Sequence, residues 1–353
     1  MDTYWKKGAI CNRIRLFQKV YFAFHRGTQS GNMCFTGAFL RVIFSLCRKG
    51  NAMTSTREVI TMKKMFVLLL ALLLCLPAAF VLTEKAEAAK RETFASGDYE
   101  YALLDDGTAE ITGYSGKAES LEISSELDGK SVTAIGDRAF FSCSGLTSVT
   151  IPDSVTAIGS NPFQYCESLS DIRVSPDHPA LATIDGVLFS KADKRLVCYP
   201  CAFSASSYEI PQDTLVIGNH AFFGCFSLTT ITIPDSVTAI GDYAFSACKS
   251  LTSVTIPNGV TSIGECAFSI CSSLTSVAIP DSVTAIGIMA FGGCKSLTSI
   301  AIPDSVTVIG QYAFCACSGL TSIVVGRDSY AKQYCVDNDL PYTYADANDL
   351  LNG

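Results

Sequence analysis

A 23-residue repeat constrains the fold of this chain more than any other feature. Seven phenylalanines mark it: Phe140, Phe163, Phe222, Phe245, Phe268, Phe291 and Phe314. Five of the six steps between them are 23 residues, and the step from Phe163 to Phe222 is 59, one repeat plus 36 residues. A unit this short buries its apolar side only against its neighbours. The period therefore predicts a solenoid.

The residues of one unit predict its local structure. Leu146, Val149 and Ile151 follow the L-x-x-L-x-L pattern of a short strand with alternate side chains inward. A proline turn follows, and Ala139-Phe140 supplies a small and a large core residue. Val, Ile and Thr dominate, which favours strand over helix. We predict a β-rich solenoid with parallel strands, 23-residue coils and little helix.

The unit reads I-P-x-x-V-x-x-I-G-x-x-A-F-x-x-C-x-x-L, and it resembles the BspA-like, or Treponema-type, leucine-rich repeat family. The match covers residues 132–328, and residues 99–130 look like the N-terminal segment of that family. Asn161-Pro162 and Thr214 depart from the pattern and predict local irregularity. The resemblance implies a secreted or surface protein of a bacterium that acts in adhesion or protein binding.

Residues 62–88 have the features of a secretory signal peptide. Met62-Lys63-Lys64 precedes seventeen residues, 66–82, that are apolar or proline, and Ala86-Glu87-Ala88 forms an A-x-A site. We expect cleavage after Ala88; the alternative is an uncleaved anchor, which would make the membrane a partner through this segment alone. We interpret residues 1–61 as a mis-called upstream extension. Secretion then places the protein outside the cell, free or at the cell surface.

The remaining chain is divided by the repeat itself. We assign residues 89–131 to an N-terminal cap and residues 132–328 to the repeat solenoid. Residues 178–213 are predicted to form a hairpin insertion, because two apolar runs flank a polar turn. Residues 329–353 lose the period and are predicted to form a C-terminal cap, since solenoid ends need polar covers.

The charge distribution argues against a nucleic-acid partner. Residues 1–64 contain twelve Lys and Arg against two acidic residues, and residues 65–353 carry a net charge of −17. Phosphate backbones require a basic face. We therefore expect a protein or glycan of a host or bacterial surface as the partner.

No motif for catalysis, cofactor binding or metal binding is present, so we expect neither an enzyme nor a cofactor. Cys143, Cys166, Cys225, Cys248, Cys271, Cys294 and Cys317 repeat in phase and are predicted to be small, reduced core residues. A serine at Cys248 would then bury a hydroxyl without a partner. Cys198 and Cys201 have redox spacing, but a local disulfide fits a strand end better. The repeated Asp153, Asp235, Asp281 and Asp304 fit turn chemistry, with cation binding as the alternative.

Variation between otherwise similar coils indicates where a partner binds. The outward positions of the strands are small and nearly invariant, whereas residues beside Ala-Phe and in the insertion differ. We predict these ligand-binding residues: Arg173, Lys191, Lys194, Arg195, Tyr199, His220, Tyr243 and Tyr312. His220 is expected to be exposed, like the other residues at its repeat position.

Three functions follow from this pattern. The first is protein or glycan recognition and adhesion. The second is a self-associating structural component of the cell envelope, because near-identical coils with imperfect caps can stack end to end. A secreted hydrolase is the third, although no nucleophile and base are visible.

Overall fold

The computed structural model describes residues 92–345, and these form a solenoid of about ten turns, built mostly from parallel strands with coils of about 23 residues. The predicted fold class is confirmed. The signal peptide, its cleavage site at Ala88 and the extension 1–61 lie outside the described residues.

Each regular coil contributes two short strands. The first follows the apolar strand pattern, and its copies are β4 Ser120–Glu122, β7 Ser148–Thr150, β9 Asp171–Arg173, β13 Ser207–Glu209, β15 Thr230–Thr232, β17 Ser253–Thr255, β19 Ser276–Ala278, β21 Ser299–Ala301 and β23 Ser322–Val325. The second lies just before the turn glycine: β8 Ala157–Ile158, β14 Val216–Ile217, β16 Ala239–Ile240, β18 Ser262–Ile263, β20 Ala285–Ile286 and β22 Val308–Ile309. Proline between the two strands stops the first one.

The strands stack in a register of one repeat. Val254 of β17 lies opposite Val277 of β19, and Ile263 of β18 lies opposite Ile286 of β20, both in parallel pairs. Threonine hydroxyls reinforce the stack: Thr252 Oγ1 donates to the carbonyl of Thr229, and Thr275 Oγ1 donates to that of Thr252. The repeated threonines therefore satisfy backbone acceptors between coils.

Aromatic rings run along the core in two columns. Tyr99, Tyr114, Phe140 and Phe163 form the first, with successive centroids 5.1–5.4 Å apart. The second contains Tyr199, Phe222, Phe245, Phe268, Phe291 and Phe314, with spacings of 4.9–5.5 Å. Each column belongs to a separate cluster of buried apolar residues.

The segment between the columns differs from its prediction. Tyr199 lies 36 residues after Phe163 and 23 before Phe222, and it holds the phenylalanine position of its own coil. Tyr208 pairs with Ile231 at the regular spacing. Residues 200–213, which we assigned to the insertion, therefore belong to a regular coil. A degenerate sequence concealed this repeat.

The lengthened preceding coil contains three strands that pair antiparallel in sequence. They are β10 Leu181–Ile184, β11 Val187–Ser190 and β12 Arg195–Cys198; β11 and β12 form a hairpin, and β10 was not predicted. The last of them, β12, also pairs in parallel with β14 of the next coil. Val187 and Leu196 pack into the C-terminal cluster, whereas Leu188 and Val197 pack into the N-terminal one. The hairpin is thus buried on both faces.

Both ends of the solenoid are covered. At the N-terminal end lie β1 Thr93–Ser96, β2 Tyr99–Leu103, β3 Ala109–Tyr114, β5 Glu126–Leu127 and β6 Lys130–Ile135. At the C-terminal end α1 spans Tyr330–Asp337 and β24 spans Tyr342–Tyr344. Ser329 caps α1 by accepting the amide of Lys332, and Tyr334 covers the ring of Phe314.

Candidate functional site

Tight turns on both sides of each core phenylalanine create one edge of the solenoid. Two positions before it, Arg138, His220 and Tyr243 adopt left-handed backbone with φ of 56–60°. Two positions after it, Tyr165 and Ile270 do the same, with φ of 64° and 60°. These non-glycine residues are strained relative to ordinary backbone. The turns set large side chains along this edge.

Five aromatic side chains at this edge contact one another, and we call them, together with Arg138, the aromatic edge. Its members are Arg138, Phe141, Tyr165, His220, Phe223 and Tyr243. The centroid distances are 5.2 Å from Phe141 to Tyr165 and 4.7 Å from Tyr165 to Phe223. Phe141 is 49% exposed and Tyr165 is 42% exposed. Exposed rings that contact one another form a contiguous apolar patch, and such patches are typical of interaction sites.

His220 is buried, so its predicted exposure is wrong. Its ring stacks on Tyr243 at 4.9 Å, and its Nε2 lies 3.3 Å from Nη2 of Arg138. Asn161, which departs from the repeat pattern, donates from Nδ2 to the His220 carbonyl at 2.7 Å. The short Asn161 side chain occupies the equivalent turn of the intervening coil. Arg138 consequently reaches past that coil and covers the imidazole.

Burial and, secondarily, the charge of Arg138 lower the pKa of His220 to about 4. The imidazole is therefore neutral at physiological pH. A neutral ring accepts the Arg138 hydrogen bond at Nε2 and carries its proton on Nδ1. His220 orients Arg138 and Tyr243 and is itself shielded from a partner.

Carboxylates lie at the same edge in three coils, at Asp137, Asp242 and Glu265. Asp137 Oδ1 accepts the amide of Ser160 at 2.6 Å, and Asp242 Oδ1 accepts that of Glu265 at 2.7 Å. Asn219 does the same for Asp242, at 2.8 Å. These bonds hold the acidic side chains beside the rings.

Three residues of the predicted site that lie in or beside the hairpin make contacts within the chain rather than facing a ligand. Tyr199 is 3% exposed, so its assignment to a ligand-binding surface is wrong. Arg195 donates from Nε to Asp193 and from Nη2 to the Ile158 carbonyl, at 2.8 and 3.1 Å. Lys191 Nζ donates to the His178 carbonyl at 2.6 Å. The lengthened coil uses its cations to satisfy carbonyls where the regular ladder is interrupted.

The other predicted residues lie apart from the aromatic edge. Arg173 pairs with Asp171 on the strand face, and Lys194 is exposed at the hairpin turn. Tyr312 is 62% exposed, and Cys266 and Met289 separate it from Tyr243 along the column of turns. The structure brings His220 and Tyr243 together and leaves these three outside.

Sequence reasoning missed Phe141, Tyr165 and Phe223. They follow the core phenylalanine by one or two positions, where other coils have Ser246, Ala247 or glycine. The doubled Phe140-Phe141 and Phe222-Phe223 were available as a signal, because only one ring of each pair fits the core column.

Apart from Arg173, which pairs with Asp171, the strand face of the coils below offers no comparable anchor. Its central residues are buried, and its outward residues are small: Ser148, Thr150, Thr230, Thr232, Ser253, Thr255, Ser276, Ala278, Ser299 and Ala301. Large rings and arginine carry most of the binding energy in protein interfaces. Specific recognition is therefore better served by the aromatic edge.

The cysteines do not provide reactive chemistry. Burial raises the pKa of Cys166 and of Cys294 to about 12, and that of Cys198 well above the usual range. Cys198 and Cys201 are free thiols, so the local disulfide expected between them is absent.

Across residues 92–345, no three His, Cys, Asp or Glu side chains are grouped to hold a metal. In that same range no helix is long and apolar enough to cross a membrane.

The repeat has a family counterpart. The family model described as "BspA type Leucine rich repeat region" matches residues 114–195 and 195–321 in six copies, which is more than half of the chain. The protein belongs to the BspA-type leucine-rich repeat family. No protein in a search of curated sequences matches it significantly.

Solved structures resemble this BspA-type repeat protein. A leucine rich cell surface protein from Faecalibacterium prausnitzii A2-165 is 24% identical, with 70% of this chain and 98% of that chain covered and a TM-score of 0.48. A leucine-rich repeat protein from Eubacterium ventriosum ATCC 27560 is 21% identical, with 66% and 84% covered and a TM-score of 0.45. The leucine rich repeat protein of T. pallidum is 26% identical, with 72% and 98% covered and a TM-score of 0.33. Family membership suggests a repeat-based binding role at the cell surface or outside the cell.

Proposed function

We propose that this BspA-type protein is a secreted or surface-bound recognition module that binds a partner protein through its aromatic edge. The observation that carries the proposal is a row of three rings in contact: Phe141 contacts Tyr165, and Tyr165 contacts Phe223. The side chains of Phe141 and Tyr165 are 49% and 42% exposed. Burying such rings against a partner removes apolar area from water and costs little side-chain entropy.

Rigidity of the edge supports the same role. Backbone hydrogen bonds link each turn to the next coil, as from the Phe140 amide to the Pro162 carbonyl and from the Ser142 amide to the Gln164 carbonyl. Residues held in place before binding lose less conformational freedom when the partner arrives. The strand face would add only weak, repeated contacts.

Self-association is the less favoured role, because both ends of the solenoid are covered. Tyr99 and Tyr114 precede the first phenylalanine of the N-terminal column, and Tyr334 closes the C-terminal column. End-to-end stacking would have to displace these caps. Sedimentation velocity over a wide concentration range tests this role, and growth of higher oligomers would favour it.

The test compares two double variants of the purified protein. Phe141→Ala/Tyr165→Ala truncates exposed rings, and Thr232→Ala/Thr255→Ala truncates the strand face as the matched control. Each protein is immobilised and exposed to host and bacterial surface extracts, and retained proteins are identified. We expect wild type and the strand-face variant to retain the same partner and the ring variant to lose it. Equal retention by the ring variant would contradict the proposal.

A further inference from the structure

We propose that the partner presents lysine or arginine side chains to the aromatic edge, so that the protein recognises a basic protein segment. This inference rests on the proposed function and specifies the chemistry of its partner. Two kinds of observation support it: the cations that lie over two rings elsewhere on the solenoid, and the charge and hydrogen-bonding character of the groups along the edge.

Two rings elsewhere on the solenoid, Phe226 and Tyr344, lie under cations of the same chain. Lys249 Nζ lies 4.9 Å from the centroid of Phe226, a ring that is 46% exposed. The guanidinium carbon of Arg327 lies 4.7 Å from the centroid of Tyr344. A cation over an aromatic face is attracted by the negative charge of that face.

Phe141 and Tyr165 lack this cover within residues 92–345. No lysine or arginine in that range lies over either ring, although Arg138 is close in sequence. Arg138 instead directs Nη2 at His220. Phe141 and Tyr165 thus present ring faces without a cation, as do the exposed Tyr312 and Tyr330 in the same range, and the rings of Phe141 and Tyr165 contact each other at 5.2 Å.

The charges beside the rings favour a cationic partner. Asp137, Asp242 and Glu265 lie along the edge beside Arg138. Arg195 also reaches this edge, but its guanidinium donates to the carbonyls of Ile158 and Gly159. Each aspartate uses Oδ1 for a backbone amide of the next coil, which leaves Oδ2 for a ligand. The net charge of −17 on residues 65–353 attracts a basic segment over a longer range.

The polar groups match a basic protein segment better than a sugar. Ionised carboxylates only accept hydrogen bonds, and lysine and arginine only donate them. A sugar hydroxyl both donates and accepts, and a sugar site therefore combines donors with acceptors. Arg138 is the guanidinium of the aromatic edge; it directs Nη2 at His220, and the three carboxylates outnumber it.

Fluorescence anisotropy with a labelled (Arg-Gly)5 peptide tests the proposal on the purified full chain. The matched probe replaces each arginine with citrulline, which keeps the shape and removes the charge. We expect the citrulline peptide to bind at least about tenfold more weakly, the change produced by losing one desolvated cation–π contact. Equal binding of the two peptides, or no binding of either, would overturn the inference.

Two variants locate the effect on the edge. Asp137→Asn/Asp242→Asn removes two charges while an amide oxygen still accepts the backbone N–H, as Asn219 does naturally. Phe141→Leu/Tyr165→Leu removes the aromatic faces, and Ile270 shows that an aliphatic residue takes the turn of Tyr165. We expect both to weaken the arginine peptide about tenfold, whereas Phe226→Leu leaves binding unchanged. Unchanged binding by both edge variants would refute the assignment.

The two proposals can fail separately. If the ring variant loses its partner in the surface-extract assay but the peptide series shows no dependence on charge, the edge binds a glycan or an uncharged protein surface. That outcome overturns the basic-segment inference and leaves the proposed function in place. If the ring variant keeps its partner in surface extracts, the proposed function itself fails.

Discussion

His220 illustrates how one side chain departs from its repeat position. Equivalent residues in other coils, such as Met289 and Tyr312, are exposed, whereas His220 lies between Arg138 and Tyr243. The shielded imidazole is held neutral because its burial disfavours the charged form. Its position has a measurable consequence for stability.

We predict that the protein loses stability as pH falls from about 6.5 to about 4, because the His220 pKa is lowered to about 4 in the folded state. Below the unfolded pKa the unfolded chain binds a proton that the folded chain does not. The loss should reach about 1–2 kcal/mol after allowing for solvent screening.

Urea unfolding of wild type and His220→Phe at several pH values measures this contribution. Phenylalanine keeps a ring against Tyr243 and cannot titrate. As pH falls, the unfolding free energy of wild type should decrease relative to that of the variant. A constant difference from pH 7 to pH 4 would mean that His220 is readily protonated in the folded state.

The repeated cysteines also form hydrogen bonds between coils, which the sequence did not indicate. Cys248 Sγ lies 3.0 Å from the Phe222 carbonyl, and Cys271 Sγ lies 3.1 Å from the Phe245 carbonyl. Each buried thiol therefore donates to the preceding coil. The expectation that serine at Cys248 would have no partner is wrong, because the same carbonyl can accept from a hydroxyl.

We predict that Cys248→Ser costs no more than Cys248→Ala, with both losing about 1–2 kcal/mol of unfolding free energy. Serine keeps the donor to Phe222, whereas alanine removes it and the sulfur volume. Chemical denaturation of both variants gives the order. Serine clearly worse than alanine would show that the thiol–carbonyl contact contributes nothing.

At the scale of elements, the lengthened coil explains why the core is divided. Its strands β11 and β12 present alternate side chains to the two apolar clusters. Tyr199 continues the C-terminal ring column, but its hydroxyl is buried and takes no hydrogen bond. The buried ring therefore stabilises the fold by packing, whereas the buried hydroxyl without a partner destabilises it.

We predict opposite outcomes for two changes at Tyr199. Tyr199→Ala should cost about 3–5 kcal/mol, because a large ring leaves a cavity in the column. Tyr199→Phe should be neutral or stabilising by up to about 1 kcal/mol, since it removes a buried polar group without a partner. Denaturant unfolding measures both. A clear loss for phenylalanine would mean that the hydroxyl is hydrogen-bonded.

At the scale of the whole molecule, the two capped ends and the acidic body are consistent with a solenoid exposed to solvent and to partners. Cleavage after Ala88 or Ala89 remains a prediction. It would remove Trp5, the single tryptophan of the chain, and all twelve Lys and Arg of residues 1–64.

The intact mass of protein recovered from the culture medium tests this processing. We expect a chain that starts at Ala89 or Lys90 and shows tyrosine fluorescence without tryptophan emission. A mass that includes residues 66–82 would instead indicate a protein anchored by that segment.

The solenoid, its strand pairing and its phenylalanine column are all predictable from the 23-residue period. A fixed period brings like residues into register, and a unit that cannot bury its apolar side alone must stack. Near-identical coils make this inference robust, because every copy repeats the same local preference.

Which of the variable residues contact one another depends on packing between coils. Tyr199 and His220 are polar aromatic residues in variable segments, yet contacts between coils bury both. Phe141 and Tyr165 contact each other from adjacent coils, and Tyr165 also contacts Phe223, which lies 58 residues further along the chain. Contacts between different coils depend on side-chain size in each of them, and no single unit of the repeat contains that information.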